Sequence, residues 1–393
     1  MIKKLKSFEF NLKTKMRFGE GISENLADFL KELNFNRVGI IVDSAVYKIP
    51  GVKNIFKKID GEDFEIIKIW KYDLKGEPDY DTLDVVRKEF VDNKGKPLVN
   101  CFVGIGGGSV IDFAKGMATL ATNPGPSRNY RGFPTDVNPS LPTIAIPTIA
   151  GTATEVTYNA VFNDKKIKKK LGINILGNFP LLAILDPTLL TTCPKYITVS
   201  TGMDAIIHTL ESYVTKNANL ITKMYAKNAF GLLYNNLMAV VDKPKNVEIR
   251  ANLLFGSYLA GISLMNSGAG PASGLQYILG AQFDVPHGIA GAVFIPHVVK
   301  HNAENGVDYS QLYDQIKGVD ICKSKAEKNK EFTEKIFDLC KKLDAPFSLK
   351  FYGVNKENVK TLLKRVGELE GMFVQNPVKF TIEDGQNLII KLV

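Results

Sequence analysis

The sequence has few of the residues that mark disulfide-linked, zinc-binding or membrane-spanning proteins. Its 393 residues include four cysteines, four histidines and one tryptophan. The cysteines lie far apart without a CxxC pair, which argues against a disulfide framework and favours a reducing compartment. The longest apolar runs are too short to span a membrane, and no signal-peptide core follows the first residues. We therefore expect a soluble, cytoplasmic protein.

The net charge of +9 raises the question of nucleic-acid binding. The densest basic run, Lys165–Lys170, is short, and the other basic residues are scattered along the chain. Such a run is typical of a solvated surface loop, although a local attraction for an anionic substrate stays open. Because no basic stripe with interleaved aromatic residues is present, we expect a small-molecule substrate as partner and neither nucleic acid nor a membrane.

The length of the chain favours two domains. In the first half, short apolar runs alternate with helical periods, which predicts a doubly wound α/β domain with a parallel sheet. The predicted strands are Phe8–Phe18, Val38–Val42, Phe64–Ile67, Asn100–Gly104, Pro142–Pro147 and Leu182–Asp186. The predicted helices of this half are Ile22–Leu33, Asp81–Asn93 and Val110–Ala121.

After Asp186 and Pro187 the pattern becomes helical, and no convincing strand follows. The predicted helices are Met203–Val214, Ile221–Val241, Val247–Met265, Ala326–Leu343 and Lys356–Val366. The change falls near residues 187–200. We therefore predict an α/β domain over residues 1–190 and an all-α domain over residues 191–393.

The glycine-rich turn Gly104–Ser109 follows a predicted strand and precedes a predicted helix. Glycines there let the backbone approach a phosphate at the positive end of the helix. The third glycine of the GxGxxG fingerprint is replaced by Ser109, so a tight turn without a ligand stays an alternative. Asp112 and Lys115, one and two turns into the helix, either cap it or face the ligand.

A second polar loop, Pro147–Glu155, follows the next predicted strand. Its small residues and hydroxyls, Thr148 and Thr152 among them, suit a contact with ribose and nicotinamide. The same loop also fits a helix N-terminus with threonine caps and Glu155 as the capping partner, and both interpretations can hold at once.

The segment Thr201–Glu211 has a helical period that places Asp204 and His208 on one helix face. A carboxylate and an imidazole one turn apart form half of a divalent metal site, or simply a contact within the helix. Among the remaining histidines, His287 is the natural third ligand. For His297 and His301 a place in the core or at a helix end is the better interpretation.

These motifs, in this order, resemble the iron-containing (group III) alcohol dehydrogenase family over nearly the whole chain. The motifs that carry the resemblance are Gly106–Ser109 with Asp112 and Lys115, Pro147–Thr152, Asp186-Pro187, Thr201–Glu211, Pro286–Gly288 and Pro296-His297. The resemblance implies the architecture shared with dehydroquinate synthase. It also implies a nicotinamide-binding α/β domain, a helical metal-binding domain and an active site in the cleft between the two.

In that family one Asp and three His hold the metal ion, and this sequence departs from the pattern. Asp204, His208 and His287 match three of the positions, but the fourth is Ser273. A second family histidine nearby corresponds to Tyr277. No histidine occurs between His208 and His287, so a shifted alignment does not restore the ligand. We therefore predict a weakened or zinc-tolerant site for iron or zinc.

The resemblance implies hydride transfer between NAD(P) and an alcohol or aldehyde, with the metal acting as a Lewis acid. The implied catalytic residues are Asp204, His208, His287 and Tyr277, the last as a proton relay, a substrate contact or a purely structural residue. The implied cofactor-binding residues are Asp43, Gly106, Gly107, Gly108, Ser109, Asp112, Lys115, Thr148 and Thr152. Asp43 ends a predicted strand, where a carboxylate accepts bonds from a ribose and repels a 2′-phosphate, so NAD is favoured and NADP stays possible.

The substrate and the rival functions stay open at this point. Arg128 and Arg131 could pair with a carboxylate or phosphonate, as in members that act on acidic sugars (Kdo 8-oxidase) or on phosphonoacetaldehyde. A lyase or cyclase of the same fold that uses NAD transiently is one alternative. A cofactor-binding protein with catalysis weakened by Ser273 is another. The resemblance favours a homodimer or larger assembly.

Overall fold

The computed structural model describes residues 7–60, 64–73, 78–167, 169–283 and 285–393. The chain forms two compact units. The α/β unit comprises Lys13–Pro194 and Pro244–Leu254. The helical unit comprises Lys195–Lys243 and Phe255–Val393, together with the described residues before Lys13.

The α/β unit contains a six-stranded parallel sheet and a separate antiparallel hairpin. Its strands are β1 (Lys15–Phe18), β2 (Arg37–Asp43), β3 (Glu65–Tyr72), β4 (Cys101–Gly106), β5 (Thr143–Pro147), β6 (Asn159–Asp164), β7 (Lys169–Asn174) and β8 (Leu182–Leu185). The sheet order is β3-β2-β4-β5-β8-β1, and β6 pairs with β7. The chain runs outward from β2 to β3 and returns to β4 on the other side of β2. The order therefore reverses between β2 and β4.

The helices of this unit follow the strands, as the sequence pattern predicts. They are α1 (Leu26–Glu32), α2 (Pro50–Ile59), α3 (Tyr80–Arg87) and α4 (Gly108–Thr122). Helices α1, α3 and α4 correspond to predicted helices, whereas α2 is not among the predictions. The central strands β4 and β5 are buried along their whole length, which explains their uninterrupted apolar sequence. Helix α4 packs on both of them and on β2.

Two predicted elements of this unit need correction. The strand predicted over Phe8–Phe18 is confined to β1, and the helix predicted over Asp81–Asn93 ends at Arg87. After Arg87 the amides of Glu89 and Phe90 donate to the carbonyl oxygens three residues earlier, so the helical bonding pattern ends there. A separate turn follows, in which Asp92 accepts bonds from the amides of Lys94 and Lys96.

The hairpin of β6 and β7 was missed, although alternate residues of β6 are buried. Two lysines of the basic run that was predicted as a surface loop, Lys169 and Lys170, lie in β7. Lys168 lies outside the described residues.

The helical unit is built around one almost completely buried helix. Its helices are α5 (Lys195–Val214), α6 (Leu220–Asp242), α7 (Val247–Ser267), α8 (Pro271–Phe283), α9 (His287–Glu304), α10 (Ser310–Tyr313), α11 (Lys325–Lys342), α12 (Val359–Val366), α13 (Glu370–Phe373) and α14 (Ile382–Leu392). Helix α5 packs against α6, α8 and α9. The first turns of α7 belong to the α/β unit. No helix among the described residues is long and apolar enough to cross a membrane.

The predicted helices of this unit are all present, but α8, α9, α14 and the one-turn helices α10 and α13 are not among the predictions. Helices α8 and α9 are buried on most sides, so their sequences lack the polar face that reveals an amphipathic helix. Their glycines and the internal Pro296 also weaken the helical signal. Between Lys195 and Val393 the described residues contain no β-strand.

The core of the α/β unit depends on a close contact between α4 and β6. A Cβ atom at Gly116 would lie 2.7 Å from Phe162 Cζ and 3.0 Å from Leu83 Cδ2. Both neighbours are fully buried, so neither can move aside without opening space elsewhere in the core.

We expect the substitution Gly116→Ala to lower the free energy of unfolding by about 1–3 kcal/mol, because the added methyl group overpacks this contact. Equilibrium urea denaturation measures the loss. Gly371→Ala is the matched control, since this helical glycine has no atom within 4 Å of the position that an added methyl group would occupy. It should be neutral or slightly stabilising. Equal effects of the two substitutions would contradict this account of the core.

Candidate active site

Three of the predicted cofactor-binding segments lie at one edge of the parallel sheet. Asp43 ends β2, Gly106 ends β4 and Thr148 directly follows β5. These three strands are neighbours and run in the same direction, so their carboxyl ends meet at the same edge. The edge includes the reversal of strand order between β2 and β4, which is where doubly wound sheets bind nucleotides.

The glycines of the turn are required by close packing around the start of α4. A Cβ atom at Gly108 would lie 2.7 Å from Thr152 Oγ1, so this glycine lets the second polar loop contact the helix. The Thr148 amide donates to the Gly106 carbonyl oxygen at 3.0 Å. Helix α4 begins after Gly107 without a side-chain cap, and Ser109 lies half-buried in its first turn. The structure thus brings both predicted loops together at a helix N-terminus, where an anion is favoured.

Asp112 and Lys115 hold the second loop against α4. The Lys115 ammonium is completely buried and donates to Thr154 Oγ1 at 2.7 Å. It also donates to the carbonyl oxygens of Thr157 and Asn159 at 2.8 and 2.9 Å. An ammonium has three protons to donate. We therefore assign Lys115 a positioning role beneath the loop.

Asp112 completes this connection with both of its carboxylate oxygens. One oxygen accepts a short hydrogen bond from the Thr154 hydroxyl, and the other accepts from the Val161 amide at 3.0 Å. Asp112 Oδ1 lies 3.7 Å from Lys115 Nζ. These contacts join α4, the polar loop and β6 around a buried ion pair. They therefore hold the C-terminal end of the loop that carries Thr148 and Thr152 in place.

Burial also shifts the titration of the charged groups in this region. It raises the pKa of Glu155 to about 7 and lowers that of Lys115 to about 8, because both side chains are removed from water. The two opposite charges reduce both shifts by attracting each other.

The backbone of the same loop has an unusual conformation at Ala153, two residues before Glu155. Its φ of 52° is in the left-handed region, which alanine rarely adopts and which clusters at functional sites.

Asp43 shapes the loop after β2. One of its carboxylate oxygens, Oδ1, accepts from the amides of Ala45 at 2.7 Å and Val46 at 3.1 Å. The side chain is only partly buried. The position at the carboxyl end of β2 agrees with the expected ribose contact, which stays a prediction.

The two arginines that were considered for an anionic substrate are engaged by carboxylates of the α/β unit. Arg128 forms a bidentate pair with Asp81 at 2.6 and 2.8 Å and also contacts Asp164 at 3.2 Å. Arg131 donates to the other oxygen of Asp164 at 2.6 Å. Since the Asp164 side chain is completely buried in β6, these pairs fasten the hairpin to its surroundings.

In the helical unit, a backbone contact brings His287 to Asp204. Helix α9 begins at His287, and a Cβ atom at the next residue, Gly288, would collide with the Ser200 carbonyl oxygen of α5. The same position lies 2.8 Å from the Asp204 amide nitrogen. Only glycine permits this approach, which explains the glycine of the Pro-His-Gly sequence.

The predicted ligands converge on a single oxygen atom. Asp204 Oδ1 lies 3.6 Å from His208 Nε2 and 4.0 Å from His287 Nε2. Asp204 and His208 are buried, while the His287 side chain keeps 22% of its surface. Tyr277 packs edge-on against the His287 ring, with the ring centroids 4.7 Å apart. The structure therefore brings together all four predicted catalytic residues.

A glutamine that is not among the predicted site residues lies in this cluster. Gln276 Nε2 is 2.8 Å from His287 Nε2 and donates to Asp204 Oδ1 at 3.3 Å. Its side chain is completely buried. The spacing from Ser273 to Gln276, one turn of a helix, is the signal that could have indicated it.

The Ser273 side chain contacts Glu211 and does not act as a further ligand beside Asp204. Its hydroxyl donates to Glu211 Oε2 at 2.5 Å. The same carboxylate accepts from the amides of Gly270 and Ala272 at 2.9 and 2.7 Å, at the start of α8. Burial raises the pKa of Glu211, and these hydrogen bonds oppose the rise. Glu211 thus caps α8, with Ser273 as part of the cap.

The other two histidines lie apart from this cluster. His297 packs edge-on against Phe337, and burial lowers its pKa to about 4. His301 packs against Phe380, and its Nε2 lies 2.9 Å from the Lys379 carbonyl oxygen. Both positions agree with the core or helix-end interpretation.

With this geometry in view, comparison with known proteins places the chain in a family. The family model described as iron-containing alcohol dehydrogenase matches residues 13–187, and the model of the C-terminal part of that family matches residues 198–393. The chain belongs to the iron-containing alcohol dehydrogenase family. The resemblance inferred from the motifs is thereby confirmed, and so is the enzyme class, an alcohol dehydrogenase.

Individual relatives agree with this assignment. A 1,3-propanediol dehydrogenase of Citrobacter freundii is 39% identical over 222 residues, 56% of this chain and 55% of that protein. An NAD-dependent methanol dehydrogenase of Bacillus methanolicus is 30% identical over 286 residues, 72% of this chain and 73% of that protein. A crystal structure of a 1,3-propanediol oxidoreductase has a TM-score of 0.89 at 27% identity, covering 99% of this chain and 100% of that chain. The predicted fold class is therefore confirmed.

The family name implies an iron ion, but the side chains near Asp204 do not fit one as they stand. A divalent ion lies about 2.0–2.2 Å from its nitrogen and oxygen ligands. Here the amide nitrogen of Gln276, whose protons repel a cation, is within hydrogen-bond distance of both Asp204 and His287. Across the described parts of the chain, no group of three or more His, Cys, Asp or Glu is arranged to hold a metal ion. The predicted metal set of Asp204, His208 and His287 stays a prediction that requires Gln276 to move.

The raised pKa of Glu155 predicts a pH dependence of stability. Between pH 4.5 and about 7 the folded chain keeps a proton on this carboxyl that the unfolded chain releases. Stability therefore falls as the pH rises through this range, by up to about 3 kcal/mol.

We expect Glu155→Gln, which cannot ionise, to remove this decline. Relative to the unmodified chain, the variant should gain unfolding free energy as the pH rises from 5 to 7, measured by urea denaturation at each pH. Glu20→Gln, at an exposed position of the same unit, is the control and should shift little. If the curves for Glu155→Gln and the unmodified chain run parallel across this range, Glu155 does not titrate as described.

Proposed function

We propose that this chain transfers a hydride between NAD(H) and an alcohol or aldehyde. In this proposal Asp204, His208, His287 and Tyr277 position the substrate oxygen and exchange a proton with it. The observation that carries the proposal is the convergence of two imidazoles and a glutamine amide on the buried Asp204 carboxylate. Family membership supports the reaction class, and the glycine turn at the sheet edge supports the dinucleotide.

In the direction of aldehyde reduction, hydride adds to the carbonyl carbon and negative charge develops on the oxygen. The cofactor supplies the hydride, and the protein must position the substrate and provide a proton. In our proposal Asp204 Oδ1 orients His208 through its Nε2 atom. The Gln276 amide, which donates to Asp204 Oδ1 and to His287 Nε2, orients His287. His287, with Tyr277 against its ring, holds the proton that passes to the oxygen. In the oxidative direction the same groups remove that proton.

NAD is the favoured cofactor, and NADP stays possible. The Asp43 carboxylate, at the end of β2, would repel the 2′-phosphate of NADP and accept bonds from the ribose of NAD. The relative from Bacillus methanolicus, 30% identical to this chain, is named an NAD-dependent enzyme. Both arguments point to NAD.

The proposal is tested by assaying the purified chain with short aldehydes and alcohols and with NAD(H) and NADP(H). We expect net consumption of NADH with an aldehyde and net formation with an alcohol. A lyase or cyclase of the same fold, which regenerates its NAD in each cycle, would give no net change. A protein that only binds the cofactor would give none either.

We expect His287→Ala to lower kcat/KM by about 100-fold or more, since a positioned acid–base group contributes at least that much. His301→Ala is the control, because it removes the same side chain from a different part of the helical unit. Equal activities of the two variants would refute the proposed role of His287. Absence of turnover with every substrate and both cofactors would refute the proposed function.

An anionic substrate, such as an acidic sugar or a phosphonate aldehyde, is the finer hypothesis from the sequence. It rests on Arg128 and Arg131, whose guanidinium groups would first have to leave Asp81 and Asp164. That exchange replaces one charge-assisted pair by another, so it offers little gain in binding.

We therefore expect Arg128→Ala to leave KM for anionic aldehydes within about twofold and to lower the melting temperature. Loss of a charge-assisted bond to the substrate would instead raise KM by about 10–100-fold. Arg131→Ala serves as the parallel variant, and an uncharged aldehyde of similar size serves as the control substrate. A selective rise in KM for the anionic aldehyde in either variant would establish the anionic class.

A further inference from the structure

The Gln276 amide lies among the side chains that a metal ion at Asp204 would have to contact. Gln276 Nε2 lies 3.3 Å from Asp204 Oδ1 and 2.8 Å from His287 Nε2. A carboxylate accepts hydrogen bonds but cannot donate them. The amide group must therefore turn its NH2 side, not its oxygen, toward Asp204.

The protein is built to admit this glutamine. Gln276 is completely buried on α8, and Oε1 points at the backbone of α9 near Gly291. A Cβ atom at Gly291 would collide with Gln276 Oε1 and lie 2.5 Å from Ile207 Cδ1. Any larger residue at position 291 would push the amide away from this place. A glycine on α9 thus makes room for a glutamine on α8.

Ser273 occupies the position that supplies a further metal ligand in the family, but here its side chain has a structural role. The Ser273 hydroxyl donates to Glu211, and the Glu211 carboxylate also holds the backbone amides at the start of α8. If Ser273 turned toward Asp204, the buried Glu211 carboxylate would lose a charge-assisted hydrogen bond. Two independent features, Gln276 and Ser273, therefore disfavour an ion at the same place.

From these contacts we infer that the Gln276 amide takes the place of the divalent ion, and that Asp204, His208 and His287 bind none. The amide donates to Asp204 Oδ1, where a cation would otherwise supply positive charge, and links this oxygen to His287. The consequence for catalysis, that hydride transfer needs no metal, rests on the proposed function. The inference that these three residues bind no ion is independent of the proposed function.

The first test is the metal content of the full chain, measured by elemental analysis after dialysis with Fe²⁺, Zn²⁺ or Co²⁺ and removal of the unbound metal. We expect less than about 0.1 ion per chain, because a site without a preformed ligand set binds weakly. Chelator treatment should leave kcat/KM within about twofold. About one ion per chain that chelators remove would overturn the inference and would assign Gln276 Oε1 as an added ligand.

The second test converts the amide into a ligand. Gln276→Glu places a second carboxylate between Asp204 and the imidazoles, so this variant should take up about one ion per chain. Bound Co²⁺ should also give visible absorption bands from the imidazole and carboxylate ligands. Gln282→Glu is the matched control, since it makes the same change at an exposed position of α8 and should bind none.

The outcomes are separable. Metal uptake by Gln276→Glu alone supports the inference, and equal uptake by the unmodified chain overturns it. If Gln276→Glu does not fold, as judged by circular dichroism, the metal content of the unmodified chain still decides. If no substrate is turned over with or without metal, the proposed function fails. The metal contents still report separately on Gln276.

Discussion

The contact between the backbones of α5 and α9 is the constraint on which the candidate site depends. Gly288 lies against the Ser200 carbonyl oxygen and the Asp204 amide, so the first residue of α9, His287, is placed beside the Asp204 side chain. Helix α5 is buried on nearly all sides and leaves its neighbours little freedom to shift. Two residues 83 positions apart in sequence, Asp204 and His287, are thereby held within one cluster.

A comparable principle operates in the α/β unit, where a buried charge is used as a structural element. Lys115 is completely buried and is stabilised by Asp112 and by three oxygen atoms, which belong to Thr154 in the loop and to Thr157 and Asn159 after it. Removing a charge from water is costly unless it is paired and hydrogen-bonded, so the contacts form a strongly coupled set. This set gives the Thr148–Thr152 loop its position at the edge of the sheet.

Family membership and local chemistry lead to different expectations for the metal. The family is named for iron, whereas the arrangement of Gln276 and Ser273 suits a network of hydrogen bonds. The physical difference between the two solutions is the source of the positive charge: an ion brings it to Asp204, while an amide brings only partial charges on its protons. A polarised substrate oxygen would then depend more on the imidazoles, and the role of His287 would grow accordingly.

The sequence by itself determined the alternation of the parallel strands with helices α1, α3 and α4, the glycine turn and the Asp204/His208 pair. These features have local periods or motifs, and local patterns are what a sequence displays. Helices α8 and α9 were not predicted, because a helix that is buried on most sides lacks the polar face by which an amphipathic helix is recognised. Lys115 was assigned to the cofactor, since its burial beneath the loop depends on residues about 40 positions away. Only the tertiary structure decided that Gln276 faces Asp204 and that Ser273 faces Glu211. Both contacts depend on how closely helices that are distant in sequence approach each other. The glycines allow this close approach, but their presence in the sequence does not show which helices pack together.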